Sequence, residues 1–189
     1  MSIVLASGSP RRLELLKMIG LEDFLVIPDT SEEKMIPGLS PEQTVCGIAL
    51  QKAENVSLLC DKDDIIIAAD TLVYLDERLL GKPVSPDDAA SMLGALSGRR
   101  HTVYTGMALI RGGVSVTAWE KTDVYFREIS SNEISAYVAS GEPVDKAGAY
   151  AAQGRGAVFV ERVEGDFFNV IGLPICRLVK ILGEFGVTV

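Results

Sequence analysis

The sequence is poor in the residues that metal cages, disulfide frameworks and membrane spans require. Its 189 residues include one histidine, His101, so a serine–histidine triad or a histidine-rich metal site would hang on a single side chain. His101 reads as a packed or hydrogen-bonded histidine. The three cysteines, Cys46, Cys60 and Cys176, are odd in number, scattered and without C-x-x-C spacing. That argues against a disulfide framework or structural zinc site and fits small buried side chains in a reducing compartment. Positive charge is also scarce: Lys+Arg 18 against Asp+Glu 26 leaves −8, the wrong sign for a nucleic-acid coat protein, so no stable nucleic-acid complex is expected. An anionic ligand would need a local reversal of that sign. No uncharged run approaches the ~20 residues of a membrane span, and Met1 to Ala6 lacks the pattern of a signal peptide. The expectation is a cytoplasmic protein with no membrane partner.

What is present is an ordinary globular composition, 48% hydrophobic and 23% charged. The length fits one domain over residues 1–189, or two small lobes sharing a cleft. Strand and helix patterns alternate throughout. Ile3 to Ala6 reads as a buried strand, broken by Ser7-Gly8-Ser9-Pro10 and followed by a helix that Gly20 stops. Phe24 to Ile27 reads as a second strand. Ser40-Pro41-Glu42-Gln43 opens a helix with a capping box, whose stripe is Val45, Ile48, Ala49, Val56 and Leu59. The unalternating run Ile65 to Ala69 predicts a strand covered on both faces, and Thr71 to Leu80 a hairpin around Asp76-Glu77. A helix from Ser85 to Gly98, two strands joined at Gly112-Gly113, and a helix opened by Ser130 and Glu133 follow. A last hairpin and helix are expected between Val158 and Phe185. The class is α/β, with a mixed twisted sheet flanked by helices.

Several polar residues interrupt this pattern. Ser7, Ser9, Arg11 and Arg12 surround the start of the first helix, where hydroxyls and free N–H groups can face an anion. Two arginines there oppose the helix dipole unless an anion or carboxylate offsets them; bridging to nearby acids is the plainer reading. Lys52 falls near the centre of an apolar stripe at ~100° per residue, so it must snorkel or meet a fixed negative partner. Asp70 ends the buried run, where α/β sheets gather ligands, or else caps a turn. Glu32 and Glu33 read as a solvated pair, or as oxygen ligands for Mg²⁺ or Mn²⁺. Lys82 stands in a rigid Gly81-Lys82-Pro83 loop. The segment Asp145 to Gly154 sets small residues around a few polar groups, letting backbone approach a ligand.

Together these segments resemble the Maf family of nucleoside triphosphate pyrophosphatases over nearly the whole chain. The likeness is carried by Ser7 to Arg12 with Glu14-Leu15-Leu16, Glu32-Glu33, Lys52-Ala53, Ala69-Asp70-Thr71 and Gly81-Lys82-Pro83. Ser97-Gly98 with His101, Asp145 to Gly154 and Gly172-Leu173-Pro174 complete the series. The resemblance implies a fold of two lobes around a central cleft and cleavage of a nucleoside triphosphate between its α and β phosphates. It implies a divalent cation, Mg²⁺ or Mn²⁺, with Asp70 as general base and metal ligand. Glu33 is the implied metal-site acid, with Glu32 as the substitute if the register shifts by one. Ser7, Ser9, Arg11, Arg12, Lys52 and Lys82 are the implied phosphate-binding residues. Arg12, Thr71 and Gln153 match the branch acting on dTTP and UTP, with 5-modified uridine nucleotides as further expected substrates. Action on deaminated purine nucleotides, or a binding role in septum formation and cell division, are the competing expectations. Family members often dimerise, though no stripe of this sequence identifies an interface.

Overall fold

A computed structural model of the chain describes residues 1–32 and 36–189. Its strands are β1 (Ile3–Leu5), β2 (Phe24–Val26), β3 (Ile65–Leu75), β4 (Arg78–Leu80), β5 (Arg100–Arg111), β6 (Val114–Phe126) and β7 (Val160–Glu164). The helices are α1 (Pro10–Met18), α2 (Pro41–Ser57), α3 (Pro86–Leu96), α4 (Ser131–Ala139), α5 (Phe167–Ile171) and α6 (Ile175–Glu184). Among the described residues the sheet runs β2-β1-β3-β5-β6-β7, with β4 on β3. β1 is parallel to β2 and β3, whereas β4 on β3 and β7 on β6 are antiparallel. The sheet is therefore mixed, as expected. The chain divides into two compact units, residues 1–70, 105–120 and 172–189 in the first, and 71–104 and 121–171 in the second.

In the first unit, α1 starts with Pro10 at its first turn and ends in a Schellman motif. Gly20, at φ +87°, donates to Lys17 O and Leu21 N donates to Leu16 O. The capping box of α2 is formed: Gln43 N donates to Ser40 Oγ at 3.3 Å and Ser40 N to Gln43 Oε1 at 3.0 Å. Ala49, Ala53 and Val56 then pack on Val4, Ala6, Ile66, Ala68 and Ala108. Leu59, expected on this stripe, is instead 72% exposed because α2 stops at Ser57. Beneath the start of α2 lies Gly106 of β5. A Cβ there would stand 2.3 Å from the Val45 carbonyl carbon, so helix and strand meet with no side chain between them.

The second unit holds its own aromatic core, including Phe126, Tyr137, Tyr150 and Phe159. His101 is buried in it, its ring edge-on to Phe126 at 4.8 Å and its Nε2 2.8 Å from Tyr150 Oη. Burial pushes the His101 pKa down to about 4, against a smaller upward pull from Asp123. The expected hairpin after Val158 does not form; one strand, β7, pairs back onto β6, and α5 and α6 follow. The cysteine reading also needs correction. Cys46 and Cys60 are half-buried, but Cys176 is exposed, off the buried stripe of Leu178, Ile181 and Leu182 on α6.

Candidate active site

Side-chain alternation along β3 decides what α2 meets. Ile66 and Ala68 face that helix, and two residues further on the same face comes Asp70. Lys52 occupies the facing position on α2, one turn beyond Ala49. Its ammonium donates to Asp70 Oδ1 at 2.7 Å, with side-chain exposures of only 14% and 9%. The lysine thus meets a fixed negative partner; it does not snorkel. Asp70 is the only buried acid among the described residues.

The position of Asp70 differs from expectation in one respect. The strand does not end there, because β4 pairs with Val73 to Leu75 and carries β3 onward to Leu75. Its pairing with β1 does end close by, since Leu5 registers with Ile67. The chain leaving β1 enters the Ser7–Ser9 turn in the direction in which β3 runs to Asp70.

That turn is tied down by Arg12. Arg12 Nη1 donates to Ser7 Oγ at 3.1 Å and Nε donates to the Gly172 carbonyl at 2.8 Å, so the guanidinium joins α1 to the turn before α6. Ser7 Oγ also accepts from Ser9 N at 3.3 Å. Ser9 makes no side-chain bond to the first turn of α1, whose N–H groups point out of the helix end beside half-buried Arg11. Hydroxyl, guanidinium and backbone donors are grouped here in a form that suits phosphate oxygens.

The acidic loop is fastened to the same helix as Lys52. Gln51 Nε2 donates to the Glu32 carbonyl at 2.9 Å, and one turn later Asn55 Nδ2 donates to Ser31 Oγ at 2.8 Å. Glu32 is exposed, and Glu33 lies outside the described residues. No three His, Cys, Asp or Glu side chains among the described residues form a metal-holding group. The donor chemistry still suits a hard cation that shares its coordination with substrate phosphates. Such an ion takes only one or two protein carboxylates, and Asp70 is available as one.

The remaining expected residues belong to the second unit. Thr71 follows Asp70 and points to the other face of β3, half-buried. Lys82 is exposed in the loop after β4, whose Gly81 carbonyl accepts from Gly148 N at 3.0 Å. Gln153 is exposed on the segment between Tyr150 and β7. Sequence reasoning missed the Arg12–Gly172 tie and the Gln51–Glu32 tie. Both end on backbone carbonyls, which leave no mark in the residue pattern.

An α/β sheet carries a buried lysine–carboxylate pair, with an arginine-braced serine turn on the adjoining strand. Comparison with known proteins narrows the class. The family model described as Maf-like protein matches residues 2–185, and the chain belongs to that family. The dTTP/UTP pyrophosphatase of Bacillus cereus (strain AH820) is 48% identical over 187 residues, covering 99% of this chain and 97% of that one. That of Bacillus thuringiensis subsp. konkukian (strain 97-27) shows the same identity and coverage. Among solved structures, a HAM1 protein from Coxiella burnetii aligns over 97% of this chain and 99% of that one, at 16% identity and TM-score 0.49. No described helix is long and apolar enough to cross a membrane.

Proposed function

We propose that this protein hydrolyses nucleoside triphosphates, dTTP and UTP foremost, between the α and β phosphates to give the monophosphate and pyrophosphate. The observation that carries the reading is the buried Lys52–Asp70 pair, 2.7 Å apart. Splitting a phosphoanhydride needs a positioned water and charge stabilisation more than an unusual nucleophile. Asp70 accepts the proton of the attacking water, and Lys52, bonded to that carboxylate, orients it. Ser7, Ser9, Arg11 and Arg12, with Lys52 and Lys82, bind the triphosphate oxygens. A divalent cation, Mg²⁺ or Mn²⁺, held by Asp70 and Glu33, would supply neutralisation of the phosphate charge and a more acidic bound water. Arg12, Thr71 and Gln153 read the nucleotide, because a base that leaves their polar groups unpaired is rejected. The full-length relatives that bear the name dTTP/UTP pyrophosphatase support the substrate assignment.

The test is a nucleotide panel with pyrophosphate detection, run with and without Mg²⁺ or Mn²⁺. Turnover of dTTP and UTP with metal is expected. Turnover of ITP or XTP with none of dTTP and UTP would move the protein to deaminated purines. Pyrophosphate release from no nucleotide at all would favour a binding role.

A further inference from the structure

Tyr137 and Glu142 form a clasp around the segment that carries Gln153. Tyr137, on α4, is buried with its ring edge-on to Phe159 at 5.1 Å, and its hydroxyl donates to Glu142 Oε1 at 2.8 Å. The same hydroxyl accepts from Ala151 N at 3.1 Å. Glu142 in turn accepts from Arg155 N at 3.1 Å and Gly156 N at 3.2 Å. Two side chains thus grip the backbone on both sides of Gln153, whose own side chain is exposed. The grip is tight. A Cβ on Gly154 would stand 2.7 Å from Glu142 Oε1, and one on Gly156 would stand 2.7 Å from Tyr137 Oη. Burial alone would raise the Glu142 pKa, but the bonds from Arg155 N, Tyr137 and Gly156 N, with Lys146 nearby, bring it below the usual range.

We propose that Tyr137 and Glu142 are positioning residues that preset Gln153 for reading the nucleobase; this rests on the reading of Gln153 given above. A carboxamide discriminates between bases only if it is held where the correct edge arrives, since a mobile one can re-pair with the wrong base. Anchoring the backbone on both sides also removes ordering that binding would otherwise have to supply. Neither residue reaches substrate in this scheme. They act through the backbone of residues 151–156.

The experiment compares E142A, E142Q, Y137F, Q153A and E142A/Q153A in the full chain. It measures amide hydrogen exchange together with kcat and KM for dTTP and GTP. In E142A, exchange at Arg155 and Gly156 is expected to quicken about tenfold or more as their acceptor is lost. KM for dTTP is expected to rise about tenfold with kcat within about twofold, and the preference for dTTP over GTP to shrink alongside. E142Q, which keeps an acceptor, should recover part of both, Y137F should quicken exchange at Ala151, and E142A/Q153A should discriminate no worse than Q153A alone. Equal loss on both nucleotides, losses that add in the double variant, or unchanged exchange would overturn the proposal. Faster exchange in E142A with Q153A discriminating as wild type would instead sink the reading of Gln153, leaving the clasp as a loop anchor without a part in base selection.

Discussion

Lys52 and Asp70, 18 residues apart in sequence, share a hydrogen bond of 2.7 Å where α2 covers β3. Two opposite charges held this far from water depend on each other. Removing one leaves the other desolvated without its compensating partner, a loss of about 3–5 kcal/mol. Lys52→Met should therefore cut the unfolding free energy in urea by that amount. The K52M/D70N double variant should regain much of it, because neither charge then remains. If K52M unfolds at the same urea concentration as wild type, the pair contributes nothing to the fold.

Asp70→Asn tests the chemistry of the site. The amide keeps the size of the carboxylate but cannot take a proton from water, so turnover of dTTP should fall by about 10²–10⁴-fold. Circular dichroism should stay as in wild type, while exchange in β3 quickens because the Lys52 ammonium is left without its compensating charge. Wild-type rates in D70N would remove Asp70 from the mechanism.

The buried imidazole makes stability depend on acidity. The His101 pKa is about 4 in the folded protein, lowered chiefly by burial, against about 6.5 for an exposed histidine. Between those values the unfolded chain binds a proton that the folded one does not, so stability falls as the pH drops from 6.5 to 4. The full loss is about 3 kcal/mol and levels off below pH 4. Urea titrations across that window should show it, and His101→Gln should flatten this part of the profile. A slope that persists in H101Q would assign it to carboxylates instead.

Metal dependence can be dissected at the acidic loop. Chelation should abolish turnover, and either Mg²⁺ or Mn²⁺ should restore it. Glu33→Gln should raise the half-activating metal concentration by about tenfold or more, while Glu32→Gln should leave it within about twofold. The opposite ranking would move the ligand to Glu32, whose backbone is tied to Gln51.

Much of this was legible in the residues, and the exceptions have physical causes. The capping box at Ser40, the helix start at Ser130 and Glu133, the stop at Gly20 and the turn at Gly112-Gly113 are local chemistry, and each formed as read. Lys52 stood out because a cation in an apolar stripe needs a partner, and alternation along β3 supplied Asp70. What failed depended on distant pairing. β7 returns to β6 instead of making a hairpin of its own, whereas the expected hairpin around Asp76-Glu77 formed and made one strand with the run that ends at Ala69. The Tyr137–Glu142 clasp was invisible for the same reason: three of its four bonds come from backbone amides, which every residue but proline carries.

Gly106 gives the Lys52 helix an unusual mounting. With only a hydrogen atom between that strand position and the peptide joining Val45 to Cys46, the first turns of the helix rest there on bare backbone, with no side chain between to yield under load. A lysine borne on so hard a bearing keeps its aim on Asp70 without waiting for a ligand to order it. Stiffness at the site is thus secured by the smallest residue in the chain, about two helical turns away from the charge whose aim it steadies.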